Sequence, residues 1–333
     1  MAENKPLVTV LLSVYNSEEF LSEAIESIIN QKYENLECLF IDDGSTDGSK
    51  EILLSYDDSR IKVIENKNNI GLAASLNKGI DLAKGKYIAR MDADDISLPD
   101  RIAKQVDALE QDDSLALCGT WAYRIDEKGS TTEEIKVASD YGCIYFKLLL
   151  INQFIHGTVT FRAEILKNYR YDATIKLAQD YDLWLRILLD GHKMINIPSF
   201  LYLHRFHDSG ISQTSLIDQD LQAAKTLKKV LDNQFNYKID ITTALLLKQT
   251  SSGQAIQPRL FDYYRIRRLL NHLTVVTLNA TGSDQIIWKK IISMRGDLLH
   301  SIYSSMNAFS RMMIKLINSA YSTSSNNLNE KRF

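Results

Sequence analysis

The sequence predicts an α/β fold, a mixed but mainly parallel sheet flanked by helices, with an all-helical C-terminal extension. Three observations carry this. Apolar strand-like runs alternate with helix-period patterns through the first hundred residues. The first run is almost wholly apolar and β-branched, the composition of a strand covered on both faces. From about Asp218 onward only helical periodicity remains.

Taken in order, Leu7 to Val14 is the first strand. Ser17 to Gln31 follows as a helix, with Phe20, Leu21, Ala24, Ile25, Ile28 and Ile29 at helical spacing and Ser17 as N-cap. Leu36 to Ile41 is a second strand, and Ser45 or Thr46 starts a helix to about Tyr56. Ile61 to Ile64 and Tyr87 to Met91 are strands on either side of a helix over Gly71 to Ala83. Strand–helix alternation of this kind builds a parallel sheet, and ligands of such sheets sit beyond the C-terminal strand ends. The pattern then becomes mixed. Arg101 to Glu110, Tyr141 to Leu150 and Asp180 to Leu189 read as helices, the last ending at Gly191. Leu115 to Ile125 and Thr158 to Arg162 read as strands. Ser251-Ser252-Gly253 reads as a linker and Ser322 to Phe333 as a polar tail.

Composition excludes several classes. A formal charge of −3 gives no footing for nucleic acid, whose partners are normally strongly basic. Cys38, Cys118 and Cys143 are far apart and odd in number, which implies buried thiols in a reducing, cytoplasmic setting. Residues 1–6 lack the layout of a signal peptide, and no apolar run reaches spanning length, so the expectation is a soluble or peripheral protein.

The chemistry concentrates at strand ends. Arg90-Met91-Asp92-Ala93-Asp94-Asp95 holds three carboxylates in four residues. Like charges so close disfavour each other's ionisation, and a hard divalent ion relieves the repulsion while holding phosphate oxygens. The alternative is a solvated acidic turn before the helix that follows Pro99. Asp42-Asp43-Gly44-Ser45-Thr46-Asp47 ends the second strand. Its carboxylates suit a ribose hydroxyl or base N–H, while helix capping explains Ser45, Thr46 and Asp47 only. Neither G-x-G-x-x-G nor G-x-x-x-x-G-K-[ST] occurs, so phosphates fall to a metal or to side chains.

Five segments in order resemble the successive motifs of family 2 glycosyltransferases of the GT-A (Rossmann-like) fold. They are Thr9 to Asn16, Ile41 to Asp47, Asn69 to Leu72 with Asn77-Lys78-Gly79, Met91 to Asp95 with Pro99, and Gln179 to Arg186. The likeness covers roughly residues 5–212. It implies a hexosyl-type transferase, inverting at the anomeric carbon, with a nucleotide-sugar donor (UDP-sugar foremost) and Mn²⁺ or Mg²⁺ as cofactor. Asp43 would contact uracil, Asp42 would shape the nucleotide pocket, and Ser13, Tyr15, Asn16 and Asn77 would complete the donor site. Asp92 and Asp94 would flank metal and sugar, with Asp94 the direct ligand, and Asp95 either the ligand instead or a hydrogen-bond partner of the donor sugar. Asp180 is the candidate base, Asp182 ranking second, and Gln179 departs from the Glu often found there. Asp180 as a plain first-turn helix carboxylate is the alternative. His207 would reach the metal or the pyrophosphate, with Arg205 adding charge, unless it is a surface-loop histidine. His156 borders the acceptor side.

The resemblance further implies a saccharide or lipid-linked acceptor and a setting in surface-polysaccharide assembly. The division expected is a catalytic domain over 1–215, its nucleotide-sugar half about 1–100 and its acceptor half about 101–215, then a helical region over 216–333. In that region Ile287, Ile291, Met294, Leu298, Ile302, Met306, Phe309, Met313 and Leu316 form a stripe opposite Lys289, Lys290, Arg311 and Lys315, with Arg295 on the apolar side. Such a helix packs on protein or lies peripherally on the inner face of the cell membrane; an oligomer is also compatible. Two other readings compete: a nucleotidyltransferase, which would bring a Gly-rich basic loop that residues 7–16 lack, and a non-catalytic sugar-nucleotide or partner-binding module.

Overall fold

The computed structural model describes residues 5–207, 216–254, 258–282, 285–306, 310–315 and 318. The chain folds as two compact units, Met1–Leu148 with Asn152–Gln219, and Leu149–Ile151 with Asp220–Phe333.

The first unit is built on one nine-stranded sheet. Strands β1 (Val8–Val14), β2 (Leu36–Asp42), β3 (Ile61–Glu65) and β4 (Tyr87–Met91) are mutually parallel in the order β3-β2-β1-β4. All of β2 and β4 is buried, and of β1 only Ser13 is partly exposed, as both-face coverage requires. Helix α1 (Leu21–Ile29) buries Leu21, Ala24, Ile25 and Ile28, each large aliphatic side chain contributing about 1.5–3 kcal/mol. Helices α2 (Ser49–Ser55) and α3 (Leu72–Leu82) complete the alternation.

Ser17 is not the N-cap of α1. Its carbonyl accepts from Phe20 and Leu21 in a turn, its hydroxyl donates to the Tyr15 carbonyl, and the helix begins at Leu21. Nor do Ser45 and Thr46 start α2; they bind the loop after β1 instead. Asn16 N–H donates to Ser45 Oγ (3.1 Å), Thr46 N–H to Asn16 Oδ1 (2.8 Å), Ser17 N–H to Ser49 Oγ (2.8 Å) and Glu18 N–H to Asp47 Oδ2 (3.1 Å). The polar residues of two neighbouring strand ends thus satisfy one another, and α2 starts later, at Ser49.

After β5 (Ile96–Ser97), α4 (Arg101–Gln111), β6 (Leu115–Ile125) and β7 (Thr131–Ile135), the chain forms α5 (Tyr141–Leu148). A 3-10 turn (His156–Thr158), β8 (Thr160–Arg162), α6 (Ala163–Tyr169), α7 (Gln179–Leu189) and β9 (Lys193–Arg205) follow. Strand β8 enters antiparallel between β4 and β6, making the sheet mixed. Strand β9 runs parallel to β6 and pairs antiparallel with β5. Its sequence pattern hides it. Pro198 cannot donate to a ladder, and the pairing jumps there, from Thr120↔Ile197 to Trp121↔Phe200.

The second unit is helical: most of α8 (Leu216–Gln234), then α9 (Ile241–Ser251), α10 (Leu260–Thr281) and α11 (Gln285–Ser305). Asp240 caps α9 by accepting from Thr243 N–H at 2.8 Å. Ile266, Leu269, Leu270 and Leu273 of α10 and Ile291 and Ile302 of α11 are fully buried. Ser252 and Gly253, the latter in a left-handed turn (φ +76°), end α9. Phe309, Leu316 and the tail from Ser322 lie outside the described residues.

Candidate active site

The parallel registers bring the C-terminal ends of β1 to β4 to one edge, with Val14 beside Asp42, Asp42 beside Glu65 and Leu12 beside Met91. Tyr15–Asn16, Asp42–Asp43, Asn66 and Asp92–Asp95 are thereby collected at that edge.

A cleft of about 510 Å³ opens beyond β2, lined by Tyr15, Asp42, Thr46, Lys50, Glu65 and Asn66 among others. Lys50 and Glu65 pair in its wall at 2.7 Å. Gly44 (φ +73°) is required here, because a Cβ would lie 2.7 Å from the backbone carbon of Asn68. The two aspartates differ. Asp42 lines the cleft, accepting one hydrogen bond from Ser45 N–H (3.1 Å). Asp43 is spent on the chain itself: Oδ1 accepts from Asn66 Nδ2 (2.8 Å) and Ile70 N–H (2.9 Å), and Oδ2 from Gly71 N–H (2.9 Å). Its charge faces the positive N-terminal end of α3, so Asp43 shapes the loop over Asn66–Gly71 that forms part of the wall. Asn77 is likewise engaged elsewhere, its amide giving to and taking from the Tyr171 backbone (2.8 and 3.0 Å).

The acidic run after β4 is matched carboxylate by carboxylate with basic side chains. Asp92 pairs with the buried guanidinium of Arg90. Its N–H donates to Tyr202 Oη (3.3 Å), and its Oδ2 lies against Gly157, where any Cβ would collide with Tyr202. Asp94 Oδ2 meets His207 Nε2 at 2.9 Å. Asp95, fully buried, accepts from Arg205 N–H (2.7 Å) through Oδ1 and meets His204 Nδ1 (3.1 Å) through Oδ2. Burial opposes the ionisation of Asp94, yet the imidazoles of His207 and His204 outweigh it and hold the carboxyl below the usual range. Burial also opposes charge on His204, but Asp95, with Asp92 and Asp94, lifts it to about 9, so the His204–Asp95 pair keeps a proton at neutral pH.

Arg205 is fully committed. Its Nε donates to the Asp94 carbonyl (2.8 Å), NH1 to the carbonyls of Asp126 and Glu127, and NH2 to Glu23 (2.6 Å), with the guanidinium 4.4 Å over the Phe20 ring. It is a clamp behind the acidic run rather than a free cation. The residues from Asp208 to Ser212 of the same segment lie outside the described residues.

Among the described residues no group of three or more His, Cys, Asp or Glu is spaced to hold an ion on protein ligands alone. Asp94 and His207 do fit as a pair. Their 2.9 Å separation is the edge expected of two neighbouring ligands at about 2.1 Å from one ion in octahedral geometry. Mg²⁺ and Mn²⁺ sites commonly take only one or two protein ligands and fill the rest with water and substrate phosphate. Asp95, with both oxygens engaged, orients His204 and the β9 end from behind.

Asp180 sits in the first turn of α7, after Ala178 in the left-handed region (φ +54°). Its Oδ2 accepts from Asn152 Nδ2 at 2.7 Å. Burial raises its pKa above the ordinary 3.8, opposed by the Tyr181 amide, Asn152 and Arg90. The helix dipole therefore loses to desolvation. Asp182 points elsewhere, paired with Arg186 at 2.8 Å. His156 Nε2 meets Tyr171 Oη at 2.8 Å, and its ring faces Trp184 at 6.0 Å. Desolvation and Arg90 lower its pKa to about 3, so it is neutral. Sequence reasoning missed Asn152, Tyr171, Tyr202 and His204. Only His204 left a signal, its three-residue spacing from His207.

Comparison with known proteins gives the family and the fold. The sequence profile of Glycosyl transferase family 2 matches residues 9–170. An uncharacterised glycosyltransferase of Methanocaldococcus jannaschii is 34% identical over 242 residues, spanning 70% of this chain and 82% of the relative. S. aureus TarS 1-349, solved in complex with UDP-GlcNAc, shares the fold with a TM-score of 0.58 at 16% identity, over 90% of this chain and 88% of that one. A mannosyltransferase from Pyrobaculum calidifontis, solved with GDP-Man and Mn²⁺, has a TM-score of 0.53 at 17% identity, over 99% and 89% of the two chains.

Proposed function

We propose, from the premise that the chain belongs to glycosyl transferase family 2, that it transfers a sugar with inversion from a nucleotide-sugar, UDP-linked foremost, to a hydroxyl of a saccharide or lipid-linked saccharide. Surface-polysaccharide assembly is the setting this reading favours. The observation that carries it is the separation of two carboxylate environments, Asp94 held ionised beside His207 and Asp180 raised by burial beside a neutral amide.

In this reading Asp42, Tyr15 and Asn66 line the place of the nucleoside, while Asp43 and Asn16 hold the loops that form it. Asp94 and His207 would hold Mn²⁺ or Mg²⁺. Bound there, the ion supplies positive charge against the diphosphate leaving group. Asp92, fixed by Arg90 and Tyr202, faces the sugar. Asp180 takes the proton of the acceptor hydroxyl as the new bond from its oxygen to the anomeric carbon forms and the bond from that carbon to the phosphate oxygen breaks. Asn152 orients the base.

The test is release of nucleotide from UDP-GlcNAc, UDP-glucose, UDP-galactose and GDP-mannose, with Mn²⁺, Mg²⁺ or EDTA. Slow donor hydrolysis that requires the metal supports the reading. Hydrolysis unaffected by EDTA overturns the metal assignment, and failure of every donor to bind overturns the donor assignment.

A further inference from the structure

The formal charge of −3 is the sum of two opposite charges. The unit formed by residues 149–151 and 220–333 carries 16 Lys and Arg against 7 Asp and Glu, a formal +9. The remainder carries 23 against 35, a formal −12. A strongly basic unit on an acidic chain is a statement about partners, since its field draws anionic surfaces. Between Arg259 and Lys315 the imbalance is nine basic residues to three acidic.

The described residues set apolar surface beside this charge. Helix α11 opens with Ile286 at 67% and Trp288 at 45% exposure, followed by the exposed Lys289 and Lys290. On α10, Phe261 (78% exposed), Arg268 and Val275 recur at helical spacing and share one exposed face. Met312 is exposed and lines a cavity of about 460 Å³ with Arg311 and Lys315. An indole beside paired ammonium groups matches the chemistry of a bilayer interface: the ring sits at headgroup depth while the lysines reach lipid phosphate. Among the described residues no helix is long and apolar enough to cross a membrane, so contact of this kind lies along the surface. The buried stripe of α11, with Ile291 and Ile302, packs inward; at helical spacing Ile286 and Lys289 lie opposite it, and Trp288 and Lys290 flank it on either side.

We propose that the C-terminal helical unit docks on an anionic lipid bilayer surface, with Ile286, Trp288, Lys289 and Lys290 at the start of α11 in contact with the headgroups. The charge of the unit is complementary to such a surface, and exposed apolar side chains stand beside the lysines at the start of α11. Near a charged leaflet each lysine strengthens binding roughly fivefold.

The experiment is co-sedimentation of the full chain with vesicles of phosphatidylcholine alone and of phosphatidylcholine with phosphatidylglycerol, at low and high salt. Binding is expected only with the anionic lipid and should weaken with salt. Lys289→Gln with Lys290→Gln should lower the partition coefficient by about 30-fold. Trp288 emission should shift to the blue on binding, and Trp288→Ala should weaken it without altering thermal unfolding or donor hydrolysis. Equal binding to neutral vesicles overturns the proposal, as does binding unchanged in the lysine and tryptophan variants while both remain folded. An active protein that binds neither vesicle overturns it too and turns the basic surface toward an acidic protein partner.

Discussion

Replacing Asn152 by Ala is expected to move the acid limb of the pH–rate profile upward while leaving the alkaline plateau nearly intact. Asp180 Oδ2 accepts from Asn152 Nδ2 at 2.7 Å. A hydrogen bond to an ionised group is worth about 1.5–3 kcal/mol against about 1 kcal/mol for the neutral form, so about 0.5–2 kcal/mol of preference for the carboxylate is lost. At about 1.36 kcal/mol per unit, the pKa rises by about one. Burial has already raised it above 3.8, and Asn152 is among the groups restraining that rise. Below the limb kcat/KM should therefore fall about tenfold. Asp180→Asn removes the base and should cost about 10²–10⁴ in transfer rate at every pH, with donor binding retained. The stability sign is opposite. A carboxyl raised in the folded state contributes stability that declines as pH rises from 3.8 through its folded pKa, so Asp180→Asn should melt no lower than the parent above that window. The assay is steady-state transfer across about pH 5 to 9 with matched melting curves. An acid limb that stays in place in folded Asn152→Ala, or transfer that survives in Asp180→Asn, refutes the assignment of Asp180 as base.

Other consequences are equally direct. Gly157→Ala places a methyl against Tyr202 Oη and within 2.8 Å of Asp92 Oδ2; a loss of about 1–3 kcal/mol in denaturant unfolding is expected, with a larger loss of kcat than of donor affinity. His156, lowered to about 3, stays neutral in the folded chain while the unfolded chain takes up a proton near 6.5. Stability should fall as pH drops from 6.5 toward 3, by about 1.4 kcal/mol per unit for this group, and urea unfolding of His156→Gln at neutral and acid pH should show that slope removed. His207→Ala should raise the Mn²⁺ concentration needed for half-maximal activity at least tenfold; an unchanged metal titration would assign the ion to other ligands.

The strands Val8–Val14, Leu36–Asp42 and Tyr87–Met91 were legible because they are almost wholly buried, and Tyr87–Met91 and the later Leu115–Ile125 fall on the residues the pattern indicates. Residues 193–205 were not legible, because Pro198 and the register jump beside it break the alternation that would have marked a strand. At the site, residue type showed where carboxylates gather but not which are spoken for. Asp42 and Asp43 are identical in sequence terms, yet one lines a cleft and the other closes a loop. Arg205 and Asn77 carry the right chemistry for phosphate or ribose, yet tertiary contacts far along the chain use up their donors. Asn152 lies 28 residues from the carboxylate it holds, and no local pattern could announce that pairing.

The site carboxylates can be ordered by the partner each one keeps. Asp92 has a buried guanidinium, Asp94 a partly buried imidazole and Asp95 a second imidazole. Among the described residues Asp180 has no cation at contact distance, only neutral amides, that of Asn152 and the backbone N–H of Tyr181. A metal ligand must stay ionised while it is approached by an anionic diphosphate, and a basic neighbour that holds its pKa down secures that. A base must be ionised and still want a proton, which a tight ion pair would prevent. Desolvation without a contacting cation provides that condition, and the opposite directions of the Asp94 and Asp180 shifts express it. Environments that push two titratable groups apart mark their division of labour. Here the division follows from where the fold spends its basic side chains: Arg90 and His207 go to the acidic run, Arg186 goes to Asp182, and Asp180 keeps its amide.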